Sequence, residues 1–347
     1  MTRILIVRLS SLGDIVHTLP LAAALRRGFP EARLDWVVDE RYQEILDLVP
    51  IVDRRVVWRT RSAPAWWSVA RVVADLRRER YDVVVDAQGL LKSAVLARLA
   101  GGRRVIGLPR SHLREPAARL FYGEESQPGP ARHVAAMNLS LASVLGVDPT
   151  AAFASWEFPL VVPDTAAVNE LRSRLGPEAG PFAVVNPGAA WPSKRWPAER
   201  FGALAARLRA DHGLPVAVVQ GPEEDASALA ATVVAASQGA ATATGPTSLG
   251  ELAAILKEAA LLVSGDTGPF HIGAALGTPI VGLYGPTDPA RNGPWAADDL
   301  TVSRFAECRC QRVRQCQTEQ WCLDDISVDA VASAAAARLA ATGRDEQ

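Results

Sequence analysis

Short apolar runs recur along this chain at the length of buried strands, each followed by a longer polar or amphipathic stretch that reads as a helix. In the first half, Arg3–Val7, Leu34–Val38, Val83–Asp86 and Arg104–Gly107 predict strands, and Leu19–Arg27, Pro64–Arg80 and Leu90–Leu99 predict helices. Strand–helix alternation implies a parallel sheet joined by right-handed crossovers. Pro20 has no N–H to donate and fits a helix's first turn, with Thr18 as its cap. Ser10 to His17 is therefore expected as a loop or a short separate turn above the sheet.

The alternation stops between Glu157 and Pro181, where Pro159, Pro163, Pro177 and Pro181 flank a polar helix; this stretch predicts a hinge. It then restarts. Phe182–Asn186, Pro215–Gln220, Leu261–Ser264 and Pro279–Leu283 predict strands, helices begin at Ala198, Glu223, Leu249 and Phe270, and an Ala-rich helix, Val328–Ala341, closes the chain. The expectation is an α/β protein with a first domain over 1–158, a linker over 159–181, a second domain over 182–326 and a terminal helical segment over 327–347.

A length of 347 residues suits two domains of about 150 residues. With 49% hydrophobic and 22% charged residues and a net charge of -1, the chain has no global field to gather nucleic acid. No run approaches the ~20 apolar residues of a membrane-spanning helix, and the N-terminus lacks the pattern of a signal peptide. Both features predict a cytoplasmic protein. Its four cysteines, Cys308, Cys310, Cys316 and Cys322, lie in one segment. Their spacing differs from standard zinc patterns, so the choice stands between reduced thiols in a packed loop and a structural metal site.

Three strand ends carry the candidate chemistry, because ligands of parallel sheets bind at the carboxyl ends of strands. After Val7 comes Arg8-Leu-Ser-Ser-Leu-Gly-Asp14-Ile-Val-His17, where Asp14 is either a helix cap or a carboxylate able to take a proton from a hydroxyl. After Gly265 comes Asp266-Thr-Gly-Pro-Phe-His271, either a simple cap or an anion-binding helix start. After Asn186, Lys194 and Arg195 stand between two Trp-Pro units, as a solvated loop or as a diphosphate cradle. Glu224, after a further strand, is a weaker candidate for ribose hydroxyls. Arg54, Arg55, Arg59 and Arg61 with Trp66-Trp67 form a basic–aromatic stretch that fits either a solvated face or an anionic acceptor or membrane surface. No G-x-G-x-x-G or G-x-x-x-x-G-K-[ST] motif occurs, which disfavours a Rossmann dehydrogenase and a P-loop NTPase.

Taken in order, Ser10-Ser-Leu-Gly-Asp14-Ile-Val-His17-Thr-Leu-Pro20, Asp86-Ala-Gln-Gly-Leu-Leu-Lys-Ser93, Arg114-Glu-Pro116 with Phe121-Tyr122, Lys194-Arg-Trp-Pro197, Asp266-Thr-Gly-Pro-Phe-His271 and Tyr284-Gly-Pro-Thr-Asp-Pro289 resemble glycosyltransferase family 9, the lipopolysaccharide heptosyltransferases, over nearly the whole chain. The resemblance implies a GT-B fold: two Rossmann-like domains facing a central cleft, the first binding acceptor and the second nucleotide sugar, with the last helix packing back on the first. It implies inverting transfer from ADP-L-glycero-D-manno-heptose without metal or cofactor. The acceptor would be Kdo2-lipid A at the cytoplasmic face of the inner membrane, where the protein would sit peripherally. By position, Asp14 is implied as general base and Lys194 as stabiliser of the leaving diphosphate. Ser10, Ser11, Gly13, Glu224, Asp266, Thr267, Gly268 and His271 would line the donor site, and Arg59, Arg61 and Arg114 would face the acceptor's acidic groups. The Asp86–Ser93 and Arg114–Tyr122 segments are most like those of enzymes adding the first heptose, whereas the Cys-rich tail is more like that of enzymes adding the second. A non-catalytic sugar-nucleotide or lipopolysaccharide-binding protein on the same fold is the rival from another class.

Overall fold

The computed structural model describes residues 1–59, 65–148, 157–176, 180–221, 225–311, 313–316 and 321–343. Arg61 and Glu224 lie outside the described residues, and the side chain of Trp66 does too. The chain divides into two compact units, Met1–Val161 and Val162–Gln347.

The first unit holds β1 (Arg3–Val7), β2 (Arg33–Asp39), β3 (Arg54–Trp58), β4 (Val83–Asp86), β5 (Arg104–Gly107) and β6 (Glu124–Glu125) in the order β3-β2-β1-β4-β5-β6. The second holds β7 (Ala183–Asn186), β8 (Val216–Val218), β9 (Ala241–Ala243), β10 (Leu261–Gly265), β11 (Ile280–Tyr284) and β12 (Leu300–Ser303) in the order β12-β11-β10-β7-β8-β9. Every pairing in both sheets is parallel. Counted from its own first strand, each unit repeats the doubly wound order 3-2-1-4-5-6. The strand order therefore reverses beside β1 and β4 in one unit and beside β7 and β10 in the other, and such switch points open a crevice at the strands' carboxyl ends. Parallel strands covered on both faces need continuous apolar runs. Ile4–Val7, Val83–Val85, Ala183–Val185 and Leu261–Val263 supply them, all buried.

The strands that the hydrophobic pattern left out lie at or next to the sheet edges: β3 and β12 at one edge of each sheet, β6 and β9 at the other. The stretch expected as loop or turn after β1 contains a one-turn helix, Leu12–Val16, with Gly13, Ile15 and Val16 buried. The next helix, Leu19–Gly28, has Thr18 at its N-cap position and Pro20 in its first turn, although the Thr18 hydroxyl donates to the Asp14 carbonyl at 2.9 Å rather than capping.

The last helix, Val328–Ala341, packs within the second unit. Val331, Ala332, Ala335 and Leu339 enter the second unit's core with Val281, Leu283 and Leu208. Arg338 fastens the helix there by donating from Nε to Asp299 Oδ1 at 2.8 Å, the same oxygen that accepts the Ile280 N–H.

Candidate functional site

At the first switch point, β1 ends and Arg8 turns back into the protein with its side chain 7% exposed. Its Nη1 donates to the Ala87 carbonyl beyond β4, and its Nη2 lies 2.7 Å from Asp14 Oδ1. The other carboxylate oxygen of Asp14 accepts the Ser11 N–H at 3.0 Å and the Ser11 hydroxyl at 2.9 Å. The capping geometry is thus real, since Asp14 is the third residue of the helix that Ser11 begins. The cap does not bury the carboxylate, which stays 39% exposed. Cap and base are roles one residue can fill together: the backbone and Arg8 fix the group, and its exposure leaves it open to a substrate.

The second switch point is built the opposite way. β7 leads into a loop ending in the short turn Pro192–Lys194, and β10 leads through Asp266 and Thr267 into the helix Gly268–Ala275. Lys194 Nζ lies 2.7 Å from Asp266 Oδ2 and 3.2 Å from its carbonyl oxygen, and 5.2 Å from the centre of the Trp191 ring. His271 Nε2 meets Asp266 Oδ1 at 2.8 Å. Asp266 is 5% exposed and Lys194 19%. Burial by itself would push the Asp266 carboxyl up. The Lys194 ammonium and the hydrogen bond from His271 outweigh it and hold the group well below the usual carboxylate range. Asp266 is therefore a fixed anion, and Lys194 is the more exposed member of the pair.

Close backbone approach makes this pairing feasible. A side chain at Gly265 would come within 2.8 Å of the Lys194 carbonyl. Asn186 braces both loops, donating from Nδ2 to Ser264 Oγ at 3.1 Å, Thr267 Oγ1 at 2.9 Å and the Gly188 carbonyl at 3.2 Å. Arg195, read with Lys194 as half of a diphosphate cradle, instead pins its own loop: it donates to the Ala189 carbonyl at 2.9 Å and pairs with Asp225.

Of the expected site residues, Ser11, Gly13 and Asp14 gather at the first switch point with Ser10 beside them, and Lys194, Asp266, Thr267, Gly268 and His271 gather at the second. Arg59 and Arg114 are exposed on separate segments of the first unit. Arg8 and Asn186 were quoted in the motifs without a role. Their position as the last residue of a strand, or the one after it, was the available signal.

The cysteines meet in two pairs, Cys310 with Cys316 at 2.8 Å between sulfurs and Cys308 with Cys322 at 3.3 Å. Burial and the Cys308 thiol push Cys322 up to about 12. Among the described residues no group of three or more His, Cys, Asp or Glu side chains is set to hold a metal ion. Their segment has a mechanical role. The Val313 carbonyl accepts the Ser193 hydroxyl at 2.8 Å and the Arg314 carbonyl accepts the Ser193 N–H at 3.3 Å, which supports the turn carrying Lys194.

Two doubly wound parallel sheets, each with an ion pair at its switch point, define an α/β protein of the GT-B class. A model of glycosyltransferase family 9 (heptosyltransferase) matches residues 69–322. Lipopolysaccharide heptosyltransferase 1 of Pseudomonas aeruginosa is 32% identical over 317 residues, covering 88% of this chain and 85% of the relative. The protein of the same name from Escherichia coli K12 is 33% identical over 324 residues, covering 89% and 94%. The solved structure of E. coli heptosyltransferase WaaC with ADP superposes with a TM-score of 0.75 at 29% identity, covering 97% of this chain and 100% of that one. The chain belongs to glycosyltransferase family 9, and it is a glycosyltransferase.

Proposed function

We propose that the enzyme transfers L-glycero-D-manno-heptose from ADP-heptose, with inversion, to a Kdo residue of Kdo2-lipid A during assembly of the lipopolysaccharide inner core. The observation that carries this reading is the opposite polarity of the two switch points: an exposed carboxylate held by a buried cation at one, and a more exposed cation held by a buried carboxylate at the other. A direct displacement at an anomeric carbon needs a base for the incoming hydroxyl and a counter-charge for the outgoing phosphate. Asp14 takes the acceptor hydroxyl proton as the oxygen bonds to the anomeric carbon. The bond from that carbon to the β-phosphate oxygen breaks, its electron pair leaves with ADP, and Lys194 meets the charge. The N-terminus of the helix Gly268–Ala275 adds backbone N–H groups near the same anion.

In this reading Ser10, Ser11, Gly13, Thr267, Gly268 and His271 line the donor, and Arg59, Arg61 and Arg114 meet the acidic acceptor. Glu224 is assigned to the ribose. The work is done at the cytoplasmic face of the inner membrane. No helix among the described residues is long and apolar enough to cross a membrane, while Trp67 and Leu120 stand exposed on the same unit as Arg59 and Arg114, a combination that suits contact with an anionic lipid surface.

Mass analysis of products tests the reading. With ADP-heptose, Kdo2-lipid A is expected to gain one heptose, and an acceptor already carrying the first heptose is expected to gain none. The reverse pattern would assign the second transfer, and no product with either would remove the enzyme from heptosyl transfer.

A further inference from the structure

Asp86 ends β4 with a carboxylate that is completely buried and that the proposed reaction does not use. Four donors converge on it: the Gln88 and Gly89 N–H groups at 2.9 and 3.3 Å on Oδ1, and the Ser93 and Tyr122 hydroxyls at 2.9 and 2.8 Å on Oδ2. Burial pushes its carboxyl up from the ordinary value, against the pull of these donors. Such a group in a core is costly unless fully hydrogen-bonded, and the surroundings are shaped to supply the bonds. Gly89 takes the left-handed conformation, φ +69°, that points its N–H inward. Gly107 on β5 has no side chain where the Tyr122 ring lies.

What this carboxylate organises is the turn between β4 and the helix Leu91–Leu99, and that turn reaches directly to the end of β1. Its Ala87 carbonyl accepts Arg8 Nη1, and its Gln88 Oε1 accepts the Leu9 N–H at 2.8 Å. Arg8 Nη2 then meets Asp14 Oδ1. From the buried carboxylate to the exposed one, each link is a hydrogen bond or an ion pair.

We propose that Asp86 is a positioning residue for glycosyl transfer: with Ser93 and Tyr122 it sets the turn that fixes Arg8, and through Arg8 it aims the carboxylate of Asp14. The proposal rests on the reading of Asp14 as base. It gives the Asp86–Ser93 segment a catalytic consequence without contact with the reacting atoms, and it ties the loop bearing Arg114, which ends at Tyr122, to the same device.

The test is a set of variants assayed with ADP-heptose and Kdo2-lipid A, with melting temperature measured in parallel. Asp86→Asn removes the carboxylate, Gln88→Ala cuts the link to Leu9 without touching the buried group, and each is made alone and in an Asp14→Asn background. A misplaced base lowers kcat by about 10- to 100-fold. That loss is expected in both single variants, with the donor KM within about twofold of native and no further loss when Asp14 is already Asn. Native kcat in Gln88→Ala and Asp86→Asn, or equal losses with and without the Asp14 carboxylate, would overturn the proposal and leave Asp86 a purely structural group. Near-native turnover of Asp14→Asn alone is a separate result: it removes the base reading, and the positioning role falls with it.

Discussion

The two units share one strand order and place one ion pair each at the equivalent point, yet they expose opposite partners. In the first, Arg8 is 7% exposed and Asp14 39%. In the second, Asp266 is 5% exposed and Lys194 19%. The buried member of each pair is an anchor, desolvated and hydrogen-bonded, and the outer member is the one the proposed reaction uses. In the proposed reaction, one scaffold supplies a base at one site and an electrostatic stabiliser at the other by exchanging which sign is buried. Ion pairs contribute little to stability on average, and buried ones can be net unfavourable. Both pairs lie at crevice-forming strand ends, which points to function as their reason.

The largest expected effect breaks the first pair at its outer member. Asp14→Asn keeps shape and cap but cannot accept the proton, so transfer is expected to fall by about 10²–10⁴-fold, the usual weight of general base catalysis, in steady-state assays of product formation. Breaking the second pair at its outer member, Lys194→Ala, is expected to slow transfer by about 10²–10³-fold. Pre-steady-state assays should place that loss in the chemical step. An unchanged rate in either variant would end the assignment of that residue.

Breaking the second pair at its anchor has a different signature. Asp266→Asn strips the fixed anion from between Lys194 and His271, and an uncompensated buried charge costs about 3–5 kcal/mol, read as a lower melting temperature. The pH dependence follows from the lowered Asp266 carboxyl. A depressed folded-state pKa adds stability that is complete above the unfolded carboxylate value of about 4 and drains away as pH falls through the folded value. Native protein should therefore hold this contribution through neutral pH and lose it only in strong acid, while Asp266→Asn lacks it throughout. A variant that melts like the native protein at pH 7 would contradict the anchor role.

The smallest effect concerns the periphery. Arg114 is exposed, and a solvent-exposed charge contributes about 0.2–1 kcal/mol. Arg114→Ala is expected to raise the acceptor KM about 1.5- to 5-fold with kcat unchanged, and a collapse of kcat would move this residue into the reacting centre.

The sequence made the centre of each sheet legible and its edges obscure, for a physical reason. β1, β4, β7 and β10 are flanked on both sides and covered on both faces, so they must be apolar runs. Edge strands escape that demand. β3 opens with Arg54 and Arg55, which join Asp75, Glu79 and Asp47 in ion pairs, and its charges read as a basic patch instead of a strand. β9 is only Ala241–Ala243. The helix Val134–Ser143 was missed because nearly all of it is buried, leaving no polar face to reveal the helical period. At the site, Asp14, Lys194 and Asp266 were legible as polar residues just beyond apolar strands. Their partners were not. Lys194 and Asp266 are 72 positions apart, and only the parallel register of β7 against β10 brings their loops together. Arg8 lay in the quoted motif, but that it turns inward to hold Asp14 depends on the Ala87 carbonyl at the end of β4.

In the proposed reaction Asp14 acts on the acceptor hydroxyl, while the leaving diphosphate is met at the other switch point. The most direct measurement pairs single-turnover transfer by Asp14→Asn with its affinity for ADP by calorimetry. Transfer slowed by at least about 100-fold with ADP binding unchanged is expected. Transfer close to the native rate, or a loss matched by an equal loss of ADP affinity, would contradict it.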